Sequence, residues 1–417
     1  MKKNFLAGLL TGLCGALLLF TLVGAVLLYV GNQPGEIKSD TPKVNASEKD
    51  DADGTEEASY DQIVQKLTYL HMLIDNYYLD GTEKISFADG IYKGFISSLE
   101  DPYSTYYTKE EYKSLMESSS GKYCGIGATV NQNVKTGVIT IVKPFENSPA
   151  YKAGILPGDI IYKVNGKEVT GVDLSEVVSR MKGIEGTTVD ITIVREDESK
   201  PLDFTITRKE IEVPTIESKM LEDNIGYITI SEFDEITVEQ FIAAVDSLEA
   251  KGMKGLVVDV RNNPGGLLDS VVKILDRLLP PELIVYTEDK NNHREEEKAV
   301  DKKQINVPMA VLINGNSASA SEIFAGTLQD YKTATIIGTT SFGKGIVQKV
   351  IPLSDGTAVK LTISKYYTPK GRNIHGTGIA PDIEVELDEK LKNEITIPID
   401  KDNQLQKAIS TLKEKMK

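Results

Sequence analysis

Two nearly continuous apolar segments place the strongest constraint on the fold of this chain. They are GLVVDV at 255–260 and PMAVLI at 308–313. Strands that lack a polar face are buried on both sides, which is typical of parallel strands covered by helices. Amphipathic helical patterns at 237–251 and at about 320–331 alternate with these segments. We therefore predict an α/β layer architecture for residues 211–385.

The N-terminus has the pattern of a membrane anchor. Lys2 and Lys3 precede an uncharged run at 5–30 that is rich in Leu, Ala and Val. The run is long enough to span a bilayer, and its small-residue pairs lie inside it, which disfavours cleavage as a signal peptide. Because the lysines are retained in the cytoplasm, we predict a transmembrane signal anchor at 1–31. The protein would be a single-pass protein of the cell membrane with most of the chain extracytoplasmic; a cleaved signal peptide is the alternative.

The remaining chain changes character several times. An acidic segment with almost no large apolar residues predicts a disordered linker at 32–59. Apolar stripes at helical spacing predict an N-terminal helical region at 60–118, and strand patterns with two short helices follow at 119–210. A charged C-terminal tail with a final helix occupies 386–417. The helical region and the tail are candidate surfaces for a homodimer.

Charge and composition exclude several functions. The formal net charge is -15 and there is no long Lys/Arg run, so nucleic acid is not an expected partner. Three His leave little for a His-built metal site, and we expect neither a metal nor a cofactor. The two Cys, at positions 14 and 124, do not form a disulfide framework.

A polar cluster follows each of the two apolar strands. In RNNPGG at 261–266, the glycines would let backbone N–H groups approach an anion, although Pro-Gly-Gly is most often a turn. NGNSASASE at 314–322 lies at a strand-to-helix turn, where α/β proteins bind ligands and a helix N-terminus can stabilise an oxyanion. A simple helix cap made by Ser321 and Glu322 is the alternative.

A third cluster could supply the base that a serine hydroxyl needs. SFGKGIVQ at 341–348 puts Lys344 between two glycines in an apolar setting, and burial can lower a lysine pKa enough for the amine to accept a proton. Gln348 could orient this amine if the chain turns around Lys344 and a strand begins at about 348. A hairpin or a phosphate-type Gly-Lys-Gly loop is one alternative. A Ser/His/Asp triad that uses His375 is another.

Together these clusters resemble the carboxy-terminal processing peptidases, also called tail-specific proteases. The likeness runs from about 60 to 385 and includes three more motifs: LEDPYS at 99–104, SPAYKAGILPGD at 148–159 and GIAPDI at 378–383. It implies an α/β protease core at 211–385 with an inserted PDZ domain at 119–210, in a multidomain α+β chain. By this resemblance the catalytic residues are the nucleophile Ser319, the general base Lys344 and the orienting residue Gln348. The oxyanion hole would use the backbone N–H groups of Ala320 and of either Gly265 or Gly266.

The resemblance also implies a peptide-binding groove in the PDZ domain. Its carboxylate-binding loop matches GIGA, which comprises Gly125, Ile126, Gly127 and Ala128. Such a loop binds a C-terminal carboxylate beside an added peptide strand. In related proteases a basic residue before GxxGT takes part in gating. Lys182 has that place here, where Arg is usual, and Arg180 lies close by.

The sequence thus predicts a membrane-anchored serine endopeptidase with a Ser/Lys dyad. Its partners would be protein or peptide substrates with free C-terminal tails, which the PDZ domain binds for cleavage nearby. A non-catalytic PDZ tether for such tails is the alternative from another class. A third hypothesis is a resting protease that a partner or a tail ligand opens.

Overall fold

The computed structural model of this chain describes residues 58–301, 303–392, 394 and 397–417. The predicted anchor at 1–31 and nearly all of the predicted linker at 32–59 lie outside the described residues. Within the part of the chain that is described, none of the helices combines the length and apolar character needed to cross a membrane. The chain divides into two units, residues 1–84 and 85–417.

The first unit contains helix α1 (Tyr60–Tyr77). This helix begins at a capping box, in which Ser59 and Gln62 each accept the other's backbone N–H. The second unit opens with α2 (Phe87–Ser97), strand β1 (Thr105–Tyr107) and α3 (Lys109–Ser120). Helix α3 ends at Gly121, whose φ of 69° is the left-handed conformation that stops a helix.

An antiparallel sheet with its own core follows in the second unit. Its elements are β2 (Lys122–Gly125), β3 (Ala128–Gln132), β4 (Ile139–Pro144), α4 (Pro149–Ala153), β5 (Ile160–Val164), β6 (Lys167–Glu168), α5 (Leu174–Met181), β7 (Thr188–Val194), β8 (Leu202–Thr207) and β9 (Lys209–Glu212). The strand order is β3-β4-β5-β7-β8, with β6 paired to β5 and β2 paired separately to β9. Val177 and Met181 of α5 are buried against the sheet. This arrangement is the small domain of strands and two helices that the sequence predicts after residue 119.

The rest of the second unit alternates strands and helices. Its elements are β10 (Ile216–Met220), β11 (Ile225–Ile230), α6 (Glu235–Ala250), β12 (Gly255–Asp259), α7 (Leu268–Leu278), β13 (Leu283–Asp289), β14 (Arg294–Lys298), β15 (Met309–Ile313), α8 (Ala320–Asp330), β16 (Ala334–Gly338), β17 (Ile346–Pro352), β18 (Ala358–Tyr367), β19 (Ile383–Glu384) and α9 (Asn403–Lys415). Short 3-10 turns lie at Glu222–Asn224 and Glu389–Leu391.

The main sheet has the order β10-β11-β12-β15-β16-β19 and is parallel from β11 onward. The two apolar segments that dominate the sequence are the neighbouring strands β12 and β15, and every residue in both is buried. Because parallel strands end at the same edge of a sheet, the segments that follow β12 and β15 meet there. The Ser317 hydroxyl donates to the carbonyl of Val260 at 2.8 Å, which ties the two segments together. A second sheet, β1-β18-β13-β14 with β17 paired to β18, brings residues 346–367 to the core.

The C-terminal helix α9 covers one face of the main sheet, where Leu405, Ala408 and Leu412 are buried. Its N-cap, Asp402, also binds the guanidinium of Arg261 at 2.7 Å. Arg261 lies one residue before the Asn-Asn-Pro-Gly-Gly turn and is bound on its other side by Asp259 at 2.6 Å. The tail is therefore tied directly to the chain that leads into this turn.

Replacing Asp402 by Ala should destabilise the protein by about 3 kcal/mol, because it leaves a buried guanidinium partly unpaired and removes a helix cap. The estimate is at the lower end for a broken buried pair because Arg261 keeps Asp259. Urea-induced unfolding measures the loss. Lys413→Ala is the matched control. Lys413 also lies on α9, but its ion pair with Asp223 is exposed, so the substitution should change stability little. Equal effects of the two substitutions would contradict the assignment.

Candidate active site

Ser319 lies in the turn between strand β15 and helix α8, in a strained backbone conformation. Its φ of 54° and ψ of -113° are unusual for a residue with a side chain. The backbone is fixed at both ends, because its N–H donates to Glu322 Oε2 at 2.8 Å and its carbonyl accepts from the Tyr366 hydroxyl at 3.1 Å. Strained serines at such turns are typical of sites where the hydroxyl must be exposed above a sheet.

The two neighbouring serines of the same motif are used in hydrogen bonds to the backbone. Ser317 and Ser321 are fully buried, and they donate to the carbonyls of Val260 and Asn263, at 2.8 and 2.9 Å. The N-cap of α8 is Ser319, so the expectation that Ser321 caps this helix is wrong. Of the three serines, Ser319 is the one that lines the cleft described below.

Lys344 lies in the loop between β16 and β17, and its side chain is half-buried. The amine lies 4.8 Å from the centroid of the Tyr103 ring. Burial lowers the pKa of Lys344, the charge of Lys360 lowers it further, and the carboxylates of Asp101 and Glu322 oppose the shift. A lysine with a lowered pKa can accept a proton from a hydroxyl.

Ser319, Lys344 and Gln348 line one cleft of about 330 Å³. Ser319 and Lys344 are not joined by a side-chain hydrogen bond, which is common in enzymes without substrate. The amide of Gln348 donates to the hydroxyl of Thr362 at 3.3 Å rather than to Lys344. Strand β17 begins at Ile346, two residues earlier than predicted, because its pairing with β18 starts there.

No histidine lines this cleft among the residues that the structure describes. His375, the candidate for a Ser/His/Asp triad, is exposed. Apolar side chains form part of the wall: Leu267, Leu268, Ile323, Ile346 and Val350. Among the described residues, the cleft therefore combines Ser319 with a lysine and not with an imidazole.

The two glycines of the RNNPGG turn differ in what their backbone can do. The N–H of Gly265 donates to Asn263 Oδ1 at 2.8 Å, so it is already used within the turn. Gly266 forms a parallel bridge with Phe233, in which the N–H of Leu267 and the carbonyl of Gly265 bond to Phe233. The N–H of Gly266 therefore points away from that bridge, and Gly266 lines the cleft whereas Gly265 does not. This geometry favours Gly266 as the oxyanion donor.

The predicted peptide-binding loop borders a separate groove of about 270 Å³. Gly125, Ile126 and Ala128 line it, whereas Gly127 does not, and the opposite wall includes Val178 and Met181 of α5. Burial raises the pKa of the Tyr123 hydroxyl to about 12, and the nearby backbone N–H groups of Ala128 and Gly127 oppose this rise. These N–H groups therefore lie near the Tyr123 hydroxyl, in the loop that the sequence predicts to bind a carboxylate.

The two predicted regulatory residues have different surroundings. Lys182 lines the groove, forms an ion pair with Glu117 of α3 at 3.2 Å, and lies 4.9 Å from the Tyr123 ring centroid. Arg180 binds Glu176 on its own helix. The end of α3 borders both sites, because Ser118 lines the groove and the cleft. Lys182, not Arg180, therefore joins the two regions.

Several residues of the cleft are not predicted from the sequence. Tyr103, Lys360 and Tyr366 surround the two candidate catalytic residues, and Glu322 bonds to the backbone of both. The one available signal was LEDPYS at 99–104, a motif without a predicted role, which contributes the Tyr103 ring beneath the amine.

Comparison with known proteins gives this chain a family. Three family models match: peptidase family S41 over residues 224–385, a PDZ domain over 140–195, and the activating protease CtpB N-terminal domain over 21–111. The carboxy-terminal processing protease CtpA of Bacillus subtilis is 40% identical over 333 residues, which cover 80% of this chain and 71% of that protein. CtpB of the same organism is 37% identical over 370 residues, which cover 88% and 75%.

A solved structure supports the same fold. A Bacteroides fragilis protein assigned to the S41 proteases has 17% sequence identity and a TM-score of 0.50, covering 81% of this chain and 93% of that chain. The fold and the family matches define a serine-type peptidase that carries a PDZ domain. The chain belongs to the carboxy-terminal processing protease family.

This membership confirms the predicted resemblance and the mixed α/β protease fold with a PDZ domain. It also makes the chain an enzyme that acts on peptides, not a non-catalytic tether. The roles of individual residues, the domain boundaries, the membrane anchor and the homodimer stay predictions.

Proposed function

We propose that this protein is a membrane-anchored, extracytoplasmic endopeptidase that binds C-terminal tails in its PDZ groove and cleaves nearby with a Ser319/Lys344 dyad. The observation that carries the proposal is backbone geometry. The N–H groups of Ser319 and Lys344 both donate to the same atom, Glu322 Oε2, each at 2.8 Å. The two backbone nitrogens therefore lie no farther apart than twice that distance, and both side chains face one cleft.

In the proposed mechanism, the neutral amine of Lys344 takes the proton from the Ser319 hydroxyl as Oγ attacks the scissile carbonyl carbon. The backbone N–H groups of Gly266 and Ala320 stabilise the oxyanion. The C–N bond then breaks, and the Lys344 ammonium returns the proton to the leaving amine. Water hydrolyses the acyl-enzyme with Lys344 again as base. The carbonyl oxygen of the Gln348 amide remains available to orient the amine, since its NH₂ is used by Thr362.

Tail recognition follows from the groove beside Gly125–Ala128. The backbone N–H groups of Gly127 and Ala128, which lie near the Tyr123 hydroxyl, would bind the terminal carboxylate of a peptide, which adds as a strand beside β3. Ile126, Val178 and Met181 would contact an apolar last residue. Lys182 would transmit peptide binding in the groove to the catalytic cleft, because its partner Glu117 lies on helix α3, which borders that cleft. Lys2, Lys3 and the apolar run after them support the membrane location.

A tail peptide with a free carboxylate should bind at least about 10-fold more tightly than its C-terminal amide, since hydrogen bonds to a charged group contribute about 1.5–3 kcal/mol. Tyr123→Phe should tighten binding of the free acid, because it removes a hydroxyl that lies near the same N–H groups. Fluorescence anisotropy in the Ser319→Ala background measures both without cleavage. Equal affinity for acid and amide would refute the groove assignment.

A further inference from the structure

Glu322 is a fully buried carboxylate in the first turn of α8, and it has more partners than a helix cap needs. Its side chain is in the N3 position, where accepting the N–H of the N-cap residue is the usual role. Here three further donors reach it: the Ser341 hydroxyl at 2.6 Å, the N–H of Gly343 at 2.7 Å and the N–H of Lys344 at 2.8 Å. All of the hydrogen bonds that it accepts from the described residues come from neutral N–H and O–H groups, and none from a cationic side chain.

All three additional donors come from one loop. Residues 339–345 form neither helix nor strand, so their backbone N–H groups need acceptors from elsewhere in the chain. Glu322 Oε1 accepts from Ser341 and Gly343, while Oε2 accepts from Lys344 and from Ser319. One side chain thus fixes the loop of the base against the turn of the nucleophile.

We propose that Glu322 is the positioning residue of this active site, a clamp that sets the distance between Ser319 and Lys344. The proposal rests on the dyad proposed above. Burying a carboxylate without a cation costs several kcal/mol unless hydrogen bonds compensate. A neutral cap would hold Ser319 without that cost, whereas only an ionised carboxylate has two oxygens that can each accept two donors. The buried charge therefore allows Glu322 to hold the loop that carries Lys344, in addition to capping the helix at Ser319.

The negative charge of Glu322 also opposes deprotonation of Lys344, so the charge and the hydrogen bonds of Glu322 should have opposite effects on catalysis. The groups that face the Lys344 amine are Asp101, Tyr103, Lys360 and Glu322, with Glu232, Asp234 and Tyr366 also in the cleft. The charge of Glu322 favours the ammonium form of Lys344. Removing this charge should therefore help the amine to lose its proton, while loss of the clamp should slow catalysis.

The experiment compares Glu322→Gln and Glu322→Ala with wild type on a peptide that has a free C-terminus. The Gln variant keeps one oxygen for Ser319 and Lys344 but turns its NH₂ toward the N–H of Gly343. We expect kcat to fall about 10-fold with KM within about twofold, and the rising limb of the pH–rate profile to move to lower pH. The Ala variant loses all four hydrogen bonds. Its kcat should fall about 10²-fold or more, because a displacement of a reacting group by about 1 Å lowers the rate by this factor.

Asp276→Asn is the matched control, because this carboxylate also accepts two loop N–H groups, from Val300 and Asp301, outside the cleft. It should leave kcat and the pH profile unchanged. Tail-peptide affinity and thermal unfolding of each variant report folding. Wild-type kcat and an unmoved pH limb in Glu322→Gln, with Ser319→Ala inactive, would overturn the clamp. Activity retained by Ser319→Ala would instead overturn the dyad itself.

Discussion

Ser319→Ala and Lys344→Ala are each expected to reduce kcat for peptide cleavage by a factor on the order of 10⁴ or more, because nucleophile and base act as one unit. Lys344→Arg should be equally inactive, since a guanidinium keeps its proton at every working pH. In wild type, activity should rise with pH as Lys344 loses its proton. The midpoint should lie below the usual range of a lysine amine, because burial and Lys360 lower the pKa.

Hydrolysis of a fluorogenic peptide with a free C-terminus measures these losses. Lys349→Ala is the control, since this exposed lysine lies on strand β17, five residues after Lys344, and does not line the cleft. Each variant should keep its affinity for tail peptides, because neither Ser319 nor Lys344 lines the groove. Turnover by Ser319→Ala or Lys344→Arg at a rate near that of wild type would rule out the dyad.

The sequence predicts those parts of the site that follow from strand and helix periodicity. Two unbroken apolar segments predict neighbouring parallel strands, and this alone brings the RNNPGG turn to the SASASE turn at one sheet edge. A lysine between two glycines in an apolar setting predicts an amine with a lowered pKa. The structure places Lys344 in the same cleft as Ser319. Both inferences need only local pattern and the known geometry of parallel sheets.

The remaining features depend on side chains that meet across distant segments. The sequence does not distinguish Gly265 from Gly266. In the structure, the Gly265 N–H donates to Asn263 Oδ1, whereas Gly266 is bridged to Phe233 and lines the cleft. Gln348 is paired with Thr362 because of an irregular register between β17 and β18, which no local spacing reveals. Glu322 reads as an ordinary capping residue in the sequence, since its other partners lie about 20 residues further along the chain.

The second large effect is expected at the glycine turn: Gly266→Ala should lower kcat by about 10²–10³-fold, the cost of losing one oxyanion donor. Gly266 has a φ of 139°, and an added Cβ would lie 2.3 Å from the carbonyl oxygen of Phe233. That oxygen belongs to the backbone, so no side chain can rotate to relieve the clash. The turn must therefore shift, and with it the N–H of Gly266, the proposed oxyanion donor.

Gly252→Ala separates this clash from backbone strain alone. Gly252 also has a positive φ, of 80°, but an added Cβ there would meet nothing within 4 Å. This control should lose about 1 kcal/mol of stability and keep its kcat. Steady-state kinetics and thermal unfolding, measured together, distinguish the two outcomes. If Gly266→Ala unfolds like the control and also keeps its kcat, the N–H of Gly266 does not stabilise the oxyanion, and the donor must be sought elsewhere in the cleft.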